Sequence, residues 1–163
     1  MADELTGFFA AAESEFAWLV TDYGFHEVSR DHKYGTLRLL YGSIAWATTK
    51  TFVEVNLEVP SPRLDVQFGA LTGGKLPSIF DIARRYHLSG LVVVRAHDEK
   101  WAAKLEQIGG LRKRQIVRGL RDTANALREL GDDILRGDHT VFKELGALGE
   151  WQISQYRSKY LSP

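Results

Sequence analysis

The tightest constraint in this chain is a two-residue rhythm. From 51 to 59, Val53, Val55, Leu57 and Val59 alternate with Glu54, Asn56 and Glu58, and successive side chains of a strand point to opposite faces. Pro60-Ser61-Pro62 then reads as a turn, since proline has no N–H to give a central ladder. Leu64, Val66 and Phe68 resume the rhythm against Asp65 and Gln67. Upstream, Leu37, Leu39 and Tyr41 alternate, Tyr41-Gly42-Ser43 signals a turn, and Ile44, Trp46 and Thr48 alternate again. A first strand is expected near 25–30. Short turns with clean alternation predict an antiparallel meander with one face buried and one solvated. On that reading Glu54, Asn56, Glu58, Asp65 and Gln67 lie on the solvated face.

The period changes on both sides of the meander. Over 3–23, Leu5, Phe8, Phe9, Ala12, Phe16, Leu19 and Tyr23 recur at three- and four-residue steps, which predicts one amphipathic helix ended by Gly24. Glu4, Glu15, Trp18 and Asp22 gather on one flank of its apolar stripe, at about 100° per residue. Beyond the meander, Pro77 suits the first turn of a helix through about Tyr86. Residues 90–96 fit either a short buried strand or a helix segment. Ile116, Val117, Leu120, Ala124 and Leu127 give a long helix over about 112–130, ended by Gly131. A last helical region covers about 139–160, with Gly146 and Gly149 weakening it. The expected fold is α+β: an antiparallel meander of four or five strands, with the N-terminal helix and the C-terminal helices packed on one face. Its 163 residues suit a single domain, 1–163.

Composition narrows the chemistry. There is no cysteine, hence no disulfide, thiolate metal site or cysteine nucleophile. Basic and acidic residues balance at 21 each, so the chain is not a globally basic nucleic-acid binder. The balance conceals an asymmetry. Residues 1–80 hold six basic and ten acidic side chains, a net of −4, and residues 81–163 hold fifteen and eleven, a net of +4. Such halves either attract each other within the fold or offer separate charged faces to partners. The acidic start and the lack of a long apolar run predict a cytoplasmic protein that does not enter a membrane.

Short motifs weigh little. Gly69-Ala70-Leu71-Thr72-Gly73-Gly74-Lys75-Leu76 fits G-x-x-x-x-G-K, but Leu76 stands where a phosphate loop needs a magnesium-binding hydroxyl, so a plain glycine turn is expected. His26, His32, His87, His97 and His139 show no metal spacing. Glu54 and Glu58 would be about 13 Å apart along a strand, too far for a glycosidase pair. Asp138 is placed to cap the last helix. No catalytic residue, metal site or cofactor is nominated.

Two surfaces remain as candidates. Glu4, Glu15, Trp18 and Asp22 on the first helix join Glu54, Asn56, Glu58 and Asp65 on the sheet as an acidic partner-binding surface, centred on Trp18 because tryptophan is enriched at binding hot spots. Acidic surroundings suit a basic protein partner. The alternative is nucleic-acid binding by Arg114, Arg118 and Arg121, which share a face of the 112–130 helix.

Phe16-Ala17-Trp18-Leu19-Val20-Thr21-Asp22-Tyr23-Gly24-Phe25, then Val59-Pro60-Ser61-Pro62-Arg63-Leu64-Asp65-Val66, then Leu135-Arg136-Gly137-Asp138 before a terminal helix, resemble small bacterial proteins that include immunity-type proteins of polymorphic toxin systems. The resemblance implies a cytoplasmic, non-enzymatic binder that inhibits a toxin domain by occlusion. It supplies no catalytic residues.

Overall fold

The alternating segments form one sheet. A computed structural model of the chain describes residues 2–34, 40–59, 62–78 and 81–160, leaving out the side chains of 2–5, 32–34, 40–41 and 82. Strands β1 (His26–Tyr34), β2 (Leu40–Ala47), β3 (Thr51–Val59), β4 (Arg63–Ala70) and β5 (Tyr86–His87) pair antiparallel in chain order. The fold is α+β, as the two periods predict. Leu37 and Leu39 fall outside the described residues. The expected turn at Tyr41-Gly42-Ser43 is instead continuous strand. Gly42 pairs with His32 of β1 and Leu57 of β3, so ladders on both sides satisfy the backbone and override the local turn signal.

The N-terminal segment is two helices, α1 (Ala2–Glu15) and α2 (Ala17–Tyr23). Phe16 leaves helical geometry at φ −103°, ψ 9°. That break turns its ring onto Trp46 of β2, with centroids 5.7 Å apart. Gly24 ends α2 in the left-handed conformation at φ 71°, as its position predicts.

The expected helix from Pro77 to Tyr86 is absent among the described residues, which hold only a 3-10 turn at Ile82–Arg84 before β5. The Pro77 carbonyl accepts from the Arg85 guanidinium, and the Ser78 carbonyl is shared between that guanidinium and the Asp81 N–H of a tight turn. Residues 88–96 resolve as α3 (Leu88–Ala96), followed by α4 (Glu99–Glu106). Helix α5 (Lys113–Leu130) follows the expected bounds, and α6 (Asp132–Leu135) leads to α7 (Phe142–Tyr160).

One face of the sheet carries the main core. Ile44, Trp46, Val53, Val55, Leu57, Leu64, Val66 and Phe68 meet Phe8 and Phe16 from the N-terminal segment, Leu91 from α3, and Ile116, Leu120 and Leu127 from α5, all buried. Each such side chain contributes roughly 1.5–3 kcal/mol by leaving water. The opposite face is not simply solvated. It has a small buried patch of Ala45, Ala47 and Phe52, and the chain between β4 and β5 covers Phe52 with Arg85. Gly69 permits that cover: a Cβ there would lie 2.3 Å from the Arg84 carbonyl oxygen and 2.9 Å from the Phe52 ring.

Candidate functional site

The sheet half of the expected acidic surface is largely inaccessible. Pairing places Glu54 opposite Gln67 and Asn56 opposite Asp65 on the face away from the helices. Glu54 is only 7% exposed and Asn56 2%, which corrects the expectation that both are solvated. Arg85 is the cause. Its guanidinium pairs with the Glu54 carboxylate and donates to the Gln67 side-chain oxygen at 3.1 Å, the Pro77 carbonyl at 2.8 Å and the Ser78 carbonyl at 3.2 Å. It also sits 5.2 Å above the Phe52 ring. Ser43 donates to the other Glu54 oxygen at 2.6 Å. Buried charge is tolerable when so fully paired. Alternation in the sequence placed these residues on one face correctly but could not show that a later segment folds over it.

Asp65 is half-buried and engaged, lying 2.8 Å from His87 Nδ1 and accepting from Gln67 at 2.7 Å. Burial pushes its carboxyl up, but the His87 hydrogen bond and charge and the Gln67 bond outweigh it, leaving the group below its ordinary range. His87 is raised, chiefly by the Asp65 hydrogen bond against the opposing effect of burial. Glu58 alone of the four nominated sheet residues is exposed.

The helical half of that surface meets the basic half of the chain. Glu15 receives Arg121 at 2.9 Å and Asp22 receives Arg128 at 2.7 Å. Trp18 is half-buried rather than free. It lies near the Phe16 ring at 6.3 Å and edge-on to Tyr23 at 5.6 Å, with the Arg128 guanidinium 5.4 Å above it. Tyr23 in turn donates to Asp132 at 2.6 Å and lies 5.0 Å beneath Arg136. Glu4 is in α1, but its side chain falls outside the described residues. The two charged halves therefore attract each other across α1, α2 and α5. The same contacts bear on the basic residues: Arg121 is turned to Glu15, Arg118 lies 3.9 Å from Asp122, and Arg114 is exposed.

The other motifs have structural uses. Gly73 and Gly74, at φ 59° and 73°, form a tight turn whose flanking Thr72 and Lys75 exchange backbone hydrogen bonds of 3.1 Å. His139 Nε2 lies 2.8 Å from Thr51 Oγ1, which donates to the Ile134 carbonyl. Since that hydroxyl has one proton, the imidazole must be the donor in the first contact. Asp138 accepts from the Thr140 N–H at 3.0 Å in the turn before α7 rather than capping the helix, which begins at Phe142. No three His, Asp or Glu side chains among the described residues converge as a metal site, and no helix there is long and apolar enough to cross a membrane.

Among the described residues, the most open apolar surface is one the sequence left unmarked. Phe142 and Leu145 seat the first turns of α7 against Tyr86, Phe68 and α3. Residues 151–160 are then exposed throughout. Trp151 is 57% exposed, Ile153 45%, Tyr156 61% and Tyr160 59%. By helical angle, Ile153, Tyr156 and Tyr160 lie within about 60° of one another and continue the stripe begun by Phe142, while Trp151 faces the other way. Tyr156 and Tyr160 rest on each other with centroids 4.9 Å apart, and Lys159 reaches over Tyr160 at 5.1 Å. The signal available in the sequence was this i, i+3, i+7 spacing, obscured by Gly146 and Gly149.

Comparison with known protein families, with curated proteins and with solved structures gives no match.

Proposed function

We propose that the chain is a non-enzymatic protein-binding module and that it engages its partner through the distal half of α7. The observation that carries this reading is the exposed stripe of Ile153, Tyr156 and Tyr160 on a helix already anchored at its other end. An i, i+3, i+7 apolar stripe is the pattern of a helix laid into a groove, and tyrosine is among the residues that dominate binding energy. Arg157 and Lys159 flank the stripe near its end. The fitting partner is a protein with an apolar groove and carboxylates on its rim. The basic partner expected from the acidic residues loses its rationale, because Glu15, Asp22, Glu54 and Asp65 are engaged within the chain.

The finer proposal, that the partner is a toxin domain inhibited by occlusion, rests on the sequence resemblance. A photo-crosslinking residue at position 156, with a second at position 58 as reference, tests the surface in cells. The expected result is an adduct from position 156 with a protein of different sequence, whose binding to the purified chain is lost in Tyr156→Glu/Tyr160→Glu. Adducts from position 58 alone would refute the placement. Rescue of growth on co-expression with a toxin domain encoded beside this gene would support the finer form, and a gene neighbourhood without such a domain would contradict it.

A further inference from the structure

Before any partner arrives, the stripe on α7 has a candidate occupant in the chain itself. Resting on the reading of α7 as a docking helix, we infer that free copies pair antiparallel through the distal half of α7, covering the docking stripe until a partner displaces the second copy. Gly146, Gly149, Ile153, Tyr156 and Tyr160 fall within roughly 80° of arc on α7. Both glycines leave room beside the helix: among the described residues, nothing lies within 4 Å of where a Cβ on either would sit. Glycine weakens a helix interior relative to alanine, so two on one open face are unfavourable for an isolated helix. They suit a helix against which something large packs.

Antiparallel pairing about Ile153 supplies that fit. With the two Ile153 side chains level at the centre, Tyr160 lies level with Gly146 of the second copy. Tyr156 lies level with Gly149 and Glu150 of the second copy. Bulky rings on one half of each helix thus meet bare backbone on the other half, in a two-fold contact that satisfies both copies at once. Charge agrees with the same register. Glu150 and Arg157 occupy one flank of the stripe, and the pairing brings each beside its opposite on the second copy. The exposed fractions of Ile153, Tyr156 and Tyr160 correspond to roughly 300 Å² per copy when an aromatic side chain buries about 150–250 Å². Two copies thus contribute about 600 Å² through these side chains, below the ~1,000 Å² of a stable specific interface. The dimer should therefore be weak and dependent on concentration, as a displaceable cover must be.

Sedimentation of the full chain, from a few micromolar to several hundred micromolar, reads the pairing directly. The expected mass rises from 18.4 kDa toward twice that value. A chain that stays monomeric throughout overturns the inference. Gly149→Leu separates pairing from general stickiness. It adds apolar surface where the chain leaves room, so the variant should melt at or above wild type, yet it fills the space for Tyr156 and should weaken the dimer by about tenfold or more. Tighter association of Gly149→Leu would overturn the proposed packing. Glu150→Arg and Arg157→Glu should each weaken dimerisation, and the double exchange should restore it; failure of the double exchange to restore it refutes the antiparallel register. The position-156 crosslink distinguishes this inference from the reading beneath it. A monomeric chain that still gives the foreign adduct refutes the dimer alone, whereas a dimer that gives only self-adducts supports the pairing and refutes the foreign partner.

Discussion

Replacing Glu54 with alanine should cost this protein much of its stability. The carboxylate is buried, accepts from Ser43 and pairs with Arg85, whose own side chain is equally enclosed. Glu54→Ala leaves that guanidinium inside with its carbonyl and amide acceptors but no counter-charge. Breaking a buried pair from one side costs about 3–5 kcal/mol, against a total of about 5–15 kcal/mol for a domain. For a chain of this length that is a melting shift of roughly 6–20 °C. Glu58→Ala, on the same strand and face but exposed, should stay within about 0.5 kcal/mol of wild type. The double variant Glu54→Leu/Arg85→Met should recover most of the loss, because well-packed apolar replacements remove both charges together. Urea unfolding followed by tryptophan fluorescence and circular dichroism measures all three. Equal stability for Glu54→Ala and Glu58→Ala would refute the buried pair and return Glu54 to the solvated face.

Other perturbations follow from the same geometry. Gly69→Ala forces a Cβ into the Arg84 carbonyl and the Phe52 ring; it should destabilise by about 1–3 kcal/mol, measured by thermal melting. Trp18→Ala should cost roughly 2 kcal/mol for a half-buried ring and leave partner affinity unchanged, separating a packing role from the hot spot the sequence suggested. The His87–Asp65 pair sets a pH window. His87 is raised when folded, so its contribution is complete below the unfolded value of about 6.5 and fades as pH rises through the folded one. Asp65 is lowered, so its contribution is present above about 3.9 and fades as pH falls through its folded value. Stability should therefore carry a component greatest between about pH 4 and 6.5, small because His87 is half-exposed, and His87→Gln should remove it from the pH–stability curve.

The legible parts of the fold were those governed by local periodicity. The alternation of Val53 to Val59 and of Leu64 to Phe68 located β3 and β4, and the three- and four-residue spacing around Leu120 and Leu127 located α5. What escaped depended on contacts distant in sequence. Gly42 resembles a turn residue until two neighbouring strands satisfy its backbone. Pro77 suits a helix start until Arg85 claims its carbonyl. The candidate site followed the same division. Alternation set Glu54 and Asn56 side by side on one face, but the cover over Glu54 comes from Arg85, some thirty positions later. The charge asymmetry was visible in the counts, while its resolution into Glu15–Arg121 and Asp22–Arg128 required the packing of α1 and α2 beside α5. Tyr156 and Tyr160 were missed because Gly146 and Gly149 read as weaknesses in a helix rather than as room beside one.

Backbone hydrogen exchange of the chain, with and without the protein captured from position 156, tests the central claim most directly. The helix beyond residue 150 has little of the tertiary packing that holds other helices, so its amides should exchange quickly in dilute free chain. Docking through the α7 stripe predicts slowed exchange across 151–160 and unchanged exchange across 54–58. Protection on β3 and β4, with 151–160 exchanging as in the free chain, would contradict it.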